Sequence, residues 1–364
     1  MNEVIPLEME KAAYAFCLEG TPVQCEPFGH GHINLTLKLT TDAGKEYILQ
    51  RINNYVFKDP VRLMENIVAV TTFLREKDPD PNHALHFLPT QDGKYCYLDE
   101  AGQYWRAYRF VPGFSLDAPE SDEDFYQSAL AFGRFQGQLA DFPAHTLFET
   151  IPEFHNTPDR YRQFKASVAA DVMGRAHEVQ EEIQFVLERE EICSTLQNMR
   201  QDGLLPLRVT HNDTKLNNVL LNWEDRTGLC VLDLDTVMPG LSAHDFGDSI
   251  RFGAATAVED EKDLSKMTLD LHRFEVFTRG FLTAATALTD AEVAMLPMGA
   301  LTMTMEVGLR FLKDYLDGDV YFRTAYPGHN LVRCRTQFKL AQDMQDKWDD
   351  MNRIVATVAA EIRK

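Results

Sequence analysis

The stretch VTHNDTKLNNVLLN, residues 209 to 222, is the densest polar cluster in the chain, and CVLDLDT, residues 230 to 236, follows it closely. Both read as short apolar strands whose polar ends converge on one edge. Asp213 is the acid of an H-x-D-x-K-x-x-N pattern, starting at His211, that places Lys215 two residues and Asn218 five residues after it. Asp233 ends the apolar run Cys230-Val231-Leu232, twenty residues after Asp213. Phosphoryl transfer asks for these residue types: an acid to orient a hydroxyl, hard oxygen ligands for magnesium, and a cation beside the moving group. An isolated H-x-D would equally fit an Asn-Asp turn. Four typed positions followed by a strand-terminal acid point instead to a site with Asp213 as base, Lys215 at the phosphoryl group, and Asn218 and Asp233 as metal ligands.

Two neighbouring acids need separate treatment. Asp235 suits either a second metal or a capping bond. Asp245-Phe246-Gly247 spells a familiar metal-binding triplet, but it follows a loop rather than an apolar strand. Its acid is therefore expected to buttress the loop at 211 to 213 by accepting backbone hydrogen bonds.

Upstream, INLTLKLT at 33 to 40 alternates apolar and polar residues, TDAGK makes a turn, and EYILQRI is a second strand. Asp59-Pro60 then caps a helix carrying Leu63, Ile67, Val70 and Leu74. Further strands are expected at 86 to 90, 94 to 98 and 104 to 111, which completes a five-stranded sheet within residues 1 to 111. Beyond Pro112-Gly113 the pattern turns helical: Ser121 and Asp124 cap one helix, and Thr157-Pro158 opens another. The expected fold is α+β and bilobal, a nucleotide-binding lobe at 1–111 followed by a larger catalytic and substrate lobe at 112–364. A ligand cleft should lie between them.

A kinase-like site also needs a cation on the third strand of such a lobe. Gln50 stands where alignment on the leucine of YILQRIN would put it, and Arg51 is the nearest cation. Strict alternation turns Arg51 to the other face, so a bulge is required to bring it to the nucleotide. Glu65 on the following helix is its expected ion-pair partner. The segment Phe28 to Asn34 carries two glycines that would let backbone approach a ligand, with His32 and Asn34 as neutral donors.

Composition narrows the partners. Lys and Arg total 36 against 56 Asp and Glu, a net charge of −20, which repels nucleic acid and anionic lipid surfaces. Six cysteines lie far apart with no metal-type spacing. The N-terminal residues carry no readable secretory signal, and the weakly charged run at 293 to 305 is too short to span a membrane. A cytoplasmic enzyme is expected.

These residues resemble the aminoglycoside phosphotransferase and choline kinase superfamily, with its two-lobed protein-kinase-like fold. Within it, GHGHIN, ILQRIN, HNDTKLNNVLL, VLDLDTVMPG and DFGDSIRFGA, spread over 29 to 254, with EVGLRFLKDYLDGDVYF at 306 to 322, look most like the N-acetylhexosamine 1-kinases. The resemblance implies transfer of the ATP γ-phosphate, with Mg2+, to the anomeric hydroxyl of N-acetylglucosamine or N-acetylgalactosamine. Phe252, Arg310 and Tyr321 would line the sugar site with Asp213, and His32 and Asn34 would reach it from the first lobe. An aromatic face packs a sugar ring and a guanidinium offers forked donors, which gives these assignments physical sense. A choline-like or aminoglycoside acceptor, another sugar, or a nucleotide-binding pseudokinase are the competing readings.

Overall fold

The computed structural model describes residues 7–29 and 34–364. A short helix, α1 (Leu7–Tyr14), precedes strands β1 (Pro22–Pro27), β2 (Leu35–Thr41) and β3 (Glu46–Ile52). Helix α2 (Pro60–Lys77) follows, then β4 (Tyr97–Leu98) and β5 (Tyr104–Arg109). The strands form one antiparallel sheet in the order β1-β2-β3-β5-β4. The expected hairpin and five-strand count are found, but the membership differs. β1 was not expected, because an edge strand with both faces largely open to solvent carries no apolar alternation. Residues 86 to 90 contribute only isolated bridges, Phe87 to Tyr108 and Phe16 to Thr90.

Alternation divides the sheet into two working faces. On the outer face Leu37, Leu39, Tyr47, Leu49, Trp105 and Ala107 pack with Ala12, Ala13 and Phe16 in a small apolar cluster of their own. The inner face and α2 join a second, much larger core that runs on into the helical region. Helix α2 begins as its sequence dictates, with the Asp59 carboxylate accepting from the Arg62 amide at 3.1 Å and Pro60 in the first turn. Its buried stripe includes Leu63, Ile67, Val70 and Leu74. Asn66 pins the helix to the second lobe: its amide group donates to the carbonyls of Phe148 (2.7 Å) and Val237 (3.1 Å) and accepts from the Phe148 amide (2.9 Å).

The second lobe holds α3 (Asp122–Gln138), α4 (Thr157–Ala170), α5 (Gln180–Leu187) and α6 (Glu190–Gln201). Two small ribbons follow, β6 (Arg208–Thr210) with β9 (Met238–Gly240), and β7 (Val219–Leu221) with β8 (Gly228–Val231). Then come α7 (Ser242–Gly253), α8 (Leu271–Ala284), α9 (Asp290–Ala294), α10 (Leu296–Asp317), α11 (His329–Asp346) and α12 (Trp348–Ile362). Among the described residues no helix is long and apolar enough to cross a membrane, and the six cysteines are unpaired.

Helix α7 lies against α10 at very close range, and two glycines permit it. A Cβ on Gly247 would come within 2.2 Å of the Gly299 carbonyl oxygen, and one on Gly299 within 2.1 Å of the Ala243 carbonyl oxygen. Backbone cannot retreat as a flexible side chain can, so Gly247→Ala must push the helices apart. The expected loss is about 1–3 kcal/mol, checked by urea unfolding; wild-type stability would show that the helices part without cost.

Candidate functional site

Helix α7 is the cradle for the polar loop that follows β6. Asp245, in its first turn and 1% exposed, accepts the backbone amides of His211 at 2.9 Å and Asn212 at 2.8 Å, and the side-chain amide of Gln136 at 2.6 Å. One turn further along α7, Asp248 accepts the Thr214 amide at 3.1 Å and the Ser249 hydroxyl donates to the Thr214 carbonyl at 2.8 Å. Asn212 is left-handed, φ 64°, a conformation asparagine tolerates better than most residues. Its side-chain amide donates to the Thr236 carbonyl at 2.9 Å. The buttressing role expected of Asp245 is what these hydrogen bonds describe.

This support presents Asp213 to the cleft. Its carboxylate pairs with the Lys215 ammonium at 2.8 Å and accepts from Asn218 Nδ2 at 3.2 Å. Burial alone would lower the Lys215 pKa, but the carboxylates of Asp213 and Asp248 outweigh it and hold the value raised. Asn218 also donates to the Asp213 carbonyl at 2.8 Å. Its nitrogen is thereby turned towards the loop, and its carbonyl oxygen is the atom suited to a metal.

The pairing of β7 with β8 brings the second acid in. Val219 is opposite Val231, and the Leu232 amide donates to the Asn218 carbonyl at 2.7 Å. Asp233, next in sequence, is left-handed at φ 52°, which turns the chain sharply at the strand end. Burial raises its pKa to about 6, reinforced by the nearby carboxylates of Asp235 and Asp213. Such crowding of acids is the electrostatic setting that a divalent cation relieves. Among the described residues no cluster of three or more His, Cys, Asp or Glu forms a metal cage. Asp233 and Asn218 offer one carboxylate and one amide oxygen, a donor set of the kind a hard divalent cation takes together with phosphate and water.

Asp235 does something the sequence left open. Its carboxylate, 2% exposed, is ion-paired with Arg106 Nη1 of β5 and accepts from Asn34 Nδ2 at 2.7 Å. Asn34, expected at the substrate, is thus committed to Asp235 and to the Asn53 amide, 2.9 Å away. The contacts of Arg106 and Asn34 with Asp235 cross from the first lobe to the second. Breaking one partner of so buried an ion pair costs about 3–5 kcal/mol.

Arg51 and Glu65 are not brought together. The β2–β3 and β3–β5 ladders run in continuous register, with no bulge at Gln50 or Arg51. Arg51 consequently stays on the outer face, exposed, with its guanidinium 6.0 Å from the Trp105 ring centroid. Glu65 is exposed on α2. The expected nucleotide contact from Arg51 is corrected by this geometry: the rescuing bulge does not form. His32 lies outside the described residues.

The substrate candidates divide between two neighbouring places. Phe252, 38% exposed at the end of α7, has the Lys215 ammonium 5.8 Å and the Arg251 guanidinium 4.6 Å from its ring centroid. Arg310 on α10 lies amid three aromatic rings, 5.8 Å from Phe154, 5.8 Å from Tyr321 and 5.5 Å from Phe322. The helical repeat sets Glu306, Arg310 and Asp314 along one face of α10. Asp314 accepts the amides of Val320, Tyr321 and Phe322 at 3.0, 2.8 and 2.9 Å, which folds the aromatic loop back beside Arg310. Glu306, wholly buried, pairs with His155 Nδ1 at 2.8 Å and accepts from Thr157 Oγ1 at 2.7 Å. The other nitrogen of His155 is 3.2 Å from the Asn212 carbonyl. The Arg310 wall and the Asp213 loop are therefore connected through Glu306 and His155. Sequence reading missed this link, as it missed Arg106 and Arg160, whose guanidinium lies close enough to Arg310 for repulsion to lower its pKa, after burial as the larger cause.

The sequence matches the phosphotransferase enzyme family over residues 24–271, and the chain belongs to that family. Similar solved structures have the same two-lobed fold. An amicoumacin kinase in complex with AMP-PNP, Ca2+ and Ami is 15% identical, with 93% of this chain and 92% of that one covered at a TM-score of 0.59. A microcompartment-associated aminopropanol kinase is 16% identical, with coverage of 94% and 98% and a TM-score of 0.60. Choline kinase from Cryptosporidium parvum is 14% identical, with coverage of 90% and 90% and a TM-score of 0.54. The protein is a phosphotransferase with the fold of small-molecule kinases.

Histidine ionisation tests the buried link. Burial would depress the His155 pKa, but Glu306 raises it above 6.5, while Glu306 itself is lowered to about 2 despite its burial, chiefly by His155. His244, with its ring 5.3 Å from that of His155, is pushed down to about 3 by burial and by that cation. The raised histidine stabilises the fold fully below pH 6.5 and loses that contribution as pH rises through its folded value. The lowered glutamate stabilises above pH 4.5 and loses its share as pH falls towards 2. Proton NMR should find His155 titrating above the ordinary 6.5 and His244 neutral at pH 5, with Glu306→Gln moving the His155 titration down. A wild-type His155 that titrates below 6.5 would contradict the pairing.

Proposed function

We propose that the protein is an ATP- and Mg2+-dependent kinase that phosphorylates the anomeric hydroxyl of an N-acetylhexosamine, giving the sugar 1-phosphate. Residues 1–111 would serve the nucleotide and residues 112–364 the chemistry and the acceptor. Bound ATP with its metal supplies the phosphoryl group and neutralises its charge in transfer. Asp213 orients the acceptor hydroxyl and accepts its proton late, since the transition state is loose and asks little basicity of it. Lys215 places a cation beside the same carboxylate, and Asn218 and Asp233 hold the metal. Most of the rate comes from positioning, to which Asp245 and α7 contribute through the loop backbone.

The observation that supports a sugar is the wall around Arg310. Two guanidiniums, Arg310 and Arg160, lie beside the buried Glu306, whose carboxylate is already engaged by His155 and Thr157. Aminopropanol and choline, the acceptors in the names of two fold neighbours, carry a positive charge that such a wall would repel. A neutral polyol is favoured: hydroxyl and acetyl oxygens accept from Arg310 while Tyr321, 69% exposed, and Phe252 offer ring faces. The choice of the anomeric position rests on the sequence resemblance. The overall charge of −20 favours a cationic acceptor at long range, but it is screened beyond about 8 Å at physiological salt, so the local guanidiniums decide.

Two substitutions separate the roles. Asp213→Asn should lower turnover by about 100- to 10,000-fold while calorimetric sugar binding persists; unchanged turnover would remove Asp213 from the chemistry. Arg310→Met should raise the sugar KM about 10- to 100-fold with the ATP KM unaltered. A gain of activity on choline with wild-type sugar kinetics would overturn the acceptor assignment.

A further inference from the structure

We propose that Arg106 of β5 is the residue that grips the nucleotide phosphates, in place of the cation that β3 lacks. The assignment rests on the phosphotransferase reading but not on the identity of the acceptor. It begins with what the phosphates would meet. Asp213 lies on the loop before β7, and Asp233 and Asp235 follow β8, which the β7–β8 pairing and the Leu232 amide bond to the Asn218 carbonyl bring to the same edge. A polyphosphate entering among three carboxylates needs cationic partners, and Lys215 is already paired with Asp213.

The sheet must supply the rest, and its register says from where. Gln50 on β3 is directly opposite Arg106 on β5 and Thr36 on β2. Cross-strand partners share a face, so Arg106 enters the cleft at the level of Gln50, one strand away. Lys38 is also on that face, but it lies one inward-facing position further along the strand, salt-bridged to Glu46 at 2.7 Å and 4.2 Å above the Phe110 ring. Arg106 is aimed at the acids instead: it pairs with Asp235, and Asp233 contributes to holding its charge.

Gln50 then has a purpose of its own. Its side chain accepts from Arg106 Nε at 2.9 Å and donates to Thr36 Oγ1 at 2.9 Å. The chain Thr36–Gln50–Arg106 fixes the guanidinium plane, and the described bonds engage Nε and Nη1, which leaves Nη2 for a phosphate oxygen. A longer, forked side chain from the neighbouring strand thus reaches the place that a lysine on β3 would reach. Glutamine at position 50 is the second part of the arrangement, not a defect in it.

The test measures binding, not turnover. Arg106→Met alone would strand Asp235, so the double variant Arg106→Met/Asp235→Asn removes both buried charges together. Calorimetry with AMP-PNP and Mg2+ and, separately, with adenosine distinguishes a phosphate contact from a general disturbance of the lobes. We expect a roughly 10- to 100-fold loss of AMP-PNP affinity with adenosine affinity within about twofold of wild type. Gln50→Lys/Arg106→Met, which returns a cation from β3, should recover most of the loss. Wild-type AMP-PNP affinity in the first double variant, or an equal loss for adenosine and AMP-PNP, would overturn the assignment. If the wild-type protein bound no AMP-PNP, the phosphotransferase reading would fall and this assignment with it.

Discussion

The site depends on one buried carboxylate. Asp245 collects the amides of His211 and Asn212 at the point where the chain leaves β6 and would otherwise have unpaired donors in the core. Its carboxylate also accepts the Gln136 side-chain amide, and the bonds fix the backbone just before Asp213. Asp245 is in turn fixed by its helix: α7 is wedged against α10 through Gly247 and Gly299, so the loop is carried by a closely packed helix pair. Everything that touches Asp213, including Lys215 and Asn218, is placed relative to that anchor.

A second layer of polar bonds closes the cleft from above. Arg106 and Asn34 hold Asp235 across the lobes, while Asn66 holds α2 to the backbone at Phe148 and Val237. These contacts, with the continuous apolar core beneath α2, join the sheet to the helical region. On the far side, the Glu306 and His155 pair carries the connection from Asn212 to the Arg310 wall. In the proposed function the nucleotide side and the acceptor side would be built on the same loop, which is the geometry in-line transfer between two bound molecules requires.

Much of this was legible in the sequence, for identifiable reasons. Helix α2 declared itself through Asp59, Pro60 and a four-residue apolar stripe, and the β2–β3 hairpin through strict alternation around a glycine turn, because both patterns are local. The H-x-D-x-K-x-x-N spacing was local too, and the structure brings Asp213, Lys215, Asn218 and Asp233 within a few ångströms or one carboxylate's influence of one another. What stayed hidden depends on partners remote in sequence. Arg106 becomes interpretable only when β5 is paired with β3 in register; the intended cation, Arg51, was one residue away from the right face. Glu306 and His155 are separated by 151 residues, and β1 has no buried face to announce it.

In the proposed function phosphate passes from ATP to the anomeric oxygen of an N-acetylated sugar. The most direct measurement is ADP release with magnesium-ATP on a panel of N-acetylhexosamines, plain hexoses, choline and an aminoglycoside, with phosphorus NMR of each product. The account predicts turnover on an N-acetylhexosamine and a phosphate on its anomeric oxygen. Phosphorylation confined to choline or an aminoglycoside, or at another hydroxyl of the sugar, would contradict it.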